Sequence, residues 1–149
     1  MVTYTMQASH KKLTATRCPV QHVRLTKAAI AKSLATCDAG LAAAAVAPTN
    51  ADRYIYAHLA AVRSATAYLK LIGATPPRGG ARSVWDRLCA AAPEMSLWAA
   101  YFSAGTKVRR AVEAGESVSE QDCDELLAFA EDFRDEVVRA LTPQTSRDD

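Results

Sequence analysis

Residues 49–72, TNADRYIYAHLAAVRSATAYLKLI, decide the fold of this chain. A helix turns about 100° per residue. At that step Ile55, His58, Leu59, Val62, Ala65, Thr66, Leu69 and Ile72 share one face, and Tyr54, Ala61 and Tyr68 widen it to about half the circumference. The opposite side carries Ala57, Ala60, Ser64, Ala67 and Leu71, all small or apolar, with Arg53 at the top. Only a narrow strip of Asp52, Arg63 and Lys70 looks wet. A helix that is apolar or small on two sides has neighbours on both. The stretch therefore reads as the hub of a helical bundle, or of a bundle that dimerises.

Working outward, a helix over residues 25–45 precedes the hub, with Ile30, Leu34, Cys37 and Leu41 as its apolar stripe. Gly40 weakens it and Pro48 ends it. The turn into the hub is short, which predicts an antiparallel hairpin. Thr49 with Asp52, Ser83 with Asp86 and Ser119 with Asp122 fit capping boxes that open three helices. Gly73 and Gly115 are placed to stop two of them. Residues 73–82, GATPPRGGAR, can only be a loop. A short helix then presents Val84, Trp85, Leu88 and Cys89 inward. A longer one over 93–115 presents Leu97, Trp98, Tyr101, Phe102, Val108 and Val112. The last, over 119–141, has an apolar stripe of Leu126, Phe129, Ala130, Phe133, Val137 and Leu141 under an almost wholly acidic outer face. No segment has the period of a strand. The expected fold is all-α, an up-down bundle of four to five helices over 25–142, with a mobile basic tail at 1–24 and a frayed end at 143–149.

Composition narrows the class. At 149 residues, half of them hydrophobic, the chain suits one domain with a real core. No apolar run reaches the roughly 20 residues of a membrane span, and no signal-type apolar stretch opens the sequence. These features lead to an expectation of a cytoplasmic protein without membrane contact. Cys18, Cys37, Cys89 and Cys123 form no C-x-x-C pair, so neither a zinc ribbon nor a redox motif is present, and reduced thiols are expected. Charge is polarised: residues 1–112 hold 15 Lys/Arg against 4 Asp/Glu, and residues 113–149 hold 3 against 12. Either the acidic last helix covers the basic part, within a chain or across a dimer, or the basic part stays open to a polyanion.

The motifs of common chemistries are missing. There is no glycine-rich phosphate loop after a strand, no H-E-x-x-H and no G-x-S-x-G. Three histidines make no metal set, so no metal or cofactor is expected. The one sharp catalytic candidate is Arg53 with His58, since a guanidinium can steady a phosphoryl oxygen while an imidazole moves a proton. In a continuous helix the two point about 140° apart and sit about 7.5 Å apart along the axis. They converge only through an irregular first turn or a second subunit. His58 also lies on the apolar stripe, where a packed, hydrogen-bonded histidine is the plainer reading. Arg78, Arg82, Lys107, Arg109 and Arg110 form the candidate nucleic-acid surface. Trp85, Trp98, Tyr101 and Phe102 would stack bases if exposed, but at helical spacing they read as core.

Taken together, the long first hairpin, the hub pattern from Tyr56-Ala57-His58-Leu59-Ala60-Ala61 to Tyr68-Leu69-Lys70, the loop and the last amphipathic helix resemble the HEPN superfamily (higher eukaryotes and prokaryotes nucleotide-binding). The run Ser83-Val84-Trp85-Asp86-Arg87-Leu88, then Ala92-Pro93-Glu94-Met95, then Trp98-Ala99-Ala100-Tyr101-Phe102-Ser103-Ala104-Gly105 and Glu113-Ala114-Gly115, looks like a small actinobacterial subgroup. The resemblance implies an up-down helical core that often dimerises. Many members of that superfamily are metal-independent ribonucleases of toxin–antitoxin or RNA-processing systems, and others are inactive binding modules. Active members carry R-x4-6-H near the start of the last core helix. Here that helix has Arg134 and Arg139 but no histidine, and the one matching spacing, Arg53 to His58, lies in the second helix. The expected function is a non-catalytic module, dimeric, binding a nucleic acid, a nucleotide or a protein partner. A ribonuclease using Arg53 and His58 across a dimer, and an adaptor docking a basic partner on acidic residues 119–141, are the alternatives.

Overall fold

Thr49, Ser83 and Ser119 each accept a hydrogen bond at the side-chain oxygen from the backbone N–H three residues on, at 3.1, 3.1 and 3.0 Å. These caps set three of the helix starts in the computed structural model, which describes residues 19–75 and 82–142. Five α-helices follow one another: α1 (Pro19–Val46), α2 (Asn50–Leu71), α3 (Val84–Ala91), α4 (Ser96–Glu113) and α5 (Glu120–Leu141). A 3₁₀ turn, Pro93–Met95, leads into α4. No strand occurs among the described residues. The chain is all-α.

The stops are built as the glycines require. Gly73 has φ +69°, its N–H donates to Lys70 O and that of Ala74 donates to Leu69 O. Gly115 (φ +105°) and Glu116 repeat the pattern on Val112 O and Ala111 O. Both are Schellman motifs, whose left-handed residue carries no Cβ penalty when it is glycine. They free the chain to turn back into the loops before α3 and α5.

As the hub reading predicts, α2 packs against each of α1, α3, α4 and α5. Its most buried line is nevertheless the small side. Ala57, Ala60, Ser64 and Ala67 are sealed, whereas Leu59 and Ile72 on the expected main face are each 41% exposed. The antiparallel hairpin with α1 accounts for this. Lys70 Nζ donates to Ser33 Oγ at 3.0 Å, Cys37 Sγ lies 3.1 Å from Ser64 Oγ, and a Cβ on Gly40 would stand 3.3 Å from that of Ala60. Small residues on both helices let the backbones approach, so Gly40 is a packing position and not merely a weak point.

Further expectations are corrected. Cys89, expected to point inward with Trp85 and Leu88, is exposed. Leu97 is 87% exposed and Val108 40%, outside the aromatic face assigned to them. Leu97 lies five residues before the buried Phe102, about 140° around the helix, so one face cannot hold both. Helix α1 begins at Pro19, ahead of residue 25, with proline at its first position, where the missing N–H costs nothing. Residues 1–18 and 143–149 of the expected tails lie outside the described residues. Within α1, Thr26–Val46 is long and apolar enough by length and composition to cross a membrane, with a mean hydropathy of 1.3, although no such run was expected. Alanine supplies much of that hydropathy, and Ile30, Ser33, Cys37 and Ala44 are buried in the bundle.

Candidate functional site

His58 is fully buried near the middle of α2. Its Nε2 lies 2.8 Å from the carbonyl oxygen of Phe102, and Thr106 Oγ1 is 3.4 Å away. A carbonyl can only accept, so Nε2 carries the proton and Nδ1 is left with a buried lone pair that has no partner among the described residues. Trp85 and Phe102 meet the ring edge-on, at centroid distances of 6.0 and 6.4 Å. Burial in this apolar cage pushes the imidazole pKa down; the bond to Phe102 only partly opposes it, and Arg109 adds to the fall. The group is a neutral donor tying α2 to α4.

Arg53 stands five residues earlier on the same unbroken helix and is engaged elsewhere. Its guanidinium pairs with Asp124 at the start of α5. Within one chain, then, the two members of the catalytic candidate are not brought together.

The basic candidates separate as well. Arg78 lies outside the described residues. Exposed Arg82 joins Arg87 beside Ala74, Thr75, Ala90 and Ala91, past the end of α2. Lys107 and Arg110 are exposed on the second half of α4, and Arg109 is half-buried with its Nε 3.5 Å from Glu113. No hydrogen bond or ion pair among the described residues links the two groups. The acidic helix reaches the basic part at only two inter-helix ion pairs among the described residues, Arg53–Asp124 and a two-point bond from Arg134 to Asp38 at 2.9 and 3.1 Å. Most of its outer face stays open.

The aromatic residues resolve as core. Trp85 and Phe102 are buried and stacked at 5.1 Å, and Phe133 packs on Phe102 at 5.3 Å. Trp98 stacks on Phe102 at 6.3 Å. Tyr101, half-buried like Trp98, stands on the rim of a cleft between α2, α4 and α5. This cleft has a volume of about 230 Å³ and is lined by Tyr54, Tyr101, Gly105, Asp122, Glu125 and apolar neighbours. The sequence does not announce it. Asp122 reads as a capping residue, Glu125 as part of a solvated face and Tyr54 as the border of a stripe. They meet only through the register of α5 against α2 and α4, which periodicity within single helices does not contain.

Fold and site thus define an all-α bundle with a hydrogen-bonded core histidine and an acidic cleft on one side. A HEPN-like family model matches residues 43–138, more than half of the chain, and the chain belongs to the HEPN superfamily. The match runs from the end of α1 into α5 and so takes in the hub, the aromatic core and the cleft. No curated protein and no solved structure matches.

Proposed function

We propose that this HEPN domain is a non-catalytic binding module of the cytoplasm, acting as a dimer through its alanine-rich helix faces. One observation carries the reading: His58, the histidine with the R-x4-6-H spacing, is sealed in the core as a neutral donor to a backbone carbonyl. A general acid–base must reach the proton it moves, and a fully buried ring holding its own N–H in a structural bond does not. Engagement of Arg53 by Asp124 supports the same reading.

The test is RNA cleavage by purified protein in EDTA, wild type beside His58→Gln, with light scattering on both. Neither protein should cleave above the buffer rate, and both should scatter as dimers. Cleavage by wild type alone, with equal folding of the two, would overturn the proposal.

Nucleic acid as the bound partner has one specific observation in its favour. Arg82, Lys107 and Arg110 are exposed and make no ion pair among the described residues. If they hold phosphates, retention of RNA should fall steeply with salt and weaken when the three become alanine.

A further inference from the structure

The cleft between α2, α4 and α5 combines features that a merely solvated face does not. Tyr54 is only 5% exposed, yet its hydroxyl makes no hydrogen bond among the described residues. It stands 3.2 Å from where a Cβ on Gly105 would be, at the cleft wall. The ring is buried while the hydroxyl opens into the cleft, where its hydrogen-bonding capacity is left for a ligand. Tyr101 Oη is 3.4 Å from Glu125 Oε2, a long contact that leaves both groups with capacity. Asp122 spends its backbone N–H on the Ser119 cap, while its carboxylate, like that of Glu125, is in no ion pair among the described residues.

We infer that this cleft is a binding site for an organic cation of arginine or lysine side-chain size. Two carboxylates and two phenol oxygens offer acceptors, while a guanidinium or ammonium offers only donors. Val108 and Leu126 supply the apolar wall along which an alkyl stem lies. The volume of about 230 Å³ is below the roughly 300–1,000 Å³ of drug-sized sites, which suits one side chain and not a nucleotide. The carboxylates repel phosphate, so this is not the nucleic-acid surface. The inference deepens the binding-module reading, but it rests on residues that the cleavage assay does not touch.

The experiment titrates the full chain with butylguanidinium, butylammonium and uncharged butylurea by calorimetry. A capped Gly-Arg-Gly peptide is the further probe. Wild type, Tyr54→Phe, Asp122→Asn/Glu125→Gln and a surface control, Glu131→Gln/Asp132→Asn, are compared after their melting temperatures are matched. The cations should bind saturably and the urea should not. The cleft double variant should lose at least tenfold in affinity and Tyr54→Phe several-fold, with the control unchanged. Tighter binding of the peptide assigns the natural ligand to a partner protein, and tighter binding of butylguanidinium assigns it to a small molecule; either supports the site. Absent saturation, equal binding of the urea, or equal loss in the surface control would overturn it. Should the double variant fail to fold, full affinity in Tyr54→Phe would overturn it alone. Failure here leaves the absence of cleavage standing, and cleavage by wild type leaves the cation titration standing.

Discussion

His58 Nε2 and the carbonyl oxygen of Phe102, 44 residues apart in sequence, lie 2.8 Å from each other in the centre of the bundle. The bond fastens the hub helix to the aromatic helix at the point where Trp85 also meets the imidazole. Replacing His58 with alanine removes that donor and leaves a void among Trp85, Phe102 and Gly105. Large-to-small changes in cores cost about 2–5 kcal/mol, and the variant should fall in that range by urea denaturation. Loss of less than about 0.5 kcal/mol, the size of an ordinary surface change, would mean that the ring is not a core element.

The same burial makes stability depend on pH. The folded-state pKa of His58 is pushed below the ordinary 6.5, chiefly by desolvation, with Arg109 lowering it and the Phe102 bond and Glu113 opposing the shift. Below about pH 6.5 the unfolded chain therefore binds a proton that the folded chain resists, and the slope of stability against pH is positive there. Stability from this group is fully present above that value and declines as the pH falls from it toward the folded pKa. Chemical denaturation at pH 7.5 and at pH 5.5 should show wild type losing stability that His58→Gln does not lose. Parallel losses would assign the effect to other groups, including His10 and His22.

Much of this architecture was legible. Residues 49–72 gave away the hub because both sides of one helix are small or apolar, and three hydroxyl caps with two glycine stops fixed the boundaries locally. The interior distribution was less legible. Periodicity ranked Leu59 and Ile72 above Ala57 and Ala60, yet the alanines are sealed and the larger residues half-open. Hydrophobicity says which residues gain from burial. It does not say which helix comes close enough to bury them, and here Gly40 against Ala60 set that distance. The structural reading of His58 could be drawn from its place on the apolar stripe. The cleft could not, because Tyr54, Tyr101, Asp122 and Glu125 come from three helices whose mutual register no single segment encodes.

Gly105 gives a sharper test of that packing. A Cβ there would stand 3.1 Å from His58 Cδ2 and 3.2 Å from the Tyr54 hydroxyl. The imidazole is held by Phe102 and Trp85 and has little room to yield. Gly105→Ala gains about 1 kcal/mol of helix propensity against an overpacking cost of about 1–3 kcal/mol. The net should be a modest loss, read as a lower melting temperature. A gain would show that the ring shifts freely.

The cysteines report on the bundle without any mutation of its core. Cys37 and Cys123 are buried, and burial raises both thiols above their ordinary range. Cys37 also sits against Ser64 Oγ, and the Cys123 thiol donates to Asn50 O at 3.2 Å. Cys89 is exposed. The reactive species is the thiolate, so access and ionisation act in the same direction at the two buried sites. In a Cys18→Ser background, which removes the thiol outside the described residues, a disulfide reagent at pH 8 should label one cysteine rapidly. The other two should react only as fast as the bundle opens, and both should speed up together in urea below the unfolding midpoint. Rapid labelling of Cys37 in native buffer would mean that α1 separates from α2 without global unfolding, and the hairpin would then be the least stable part of the fold.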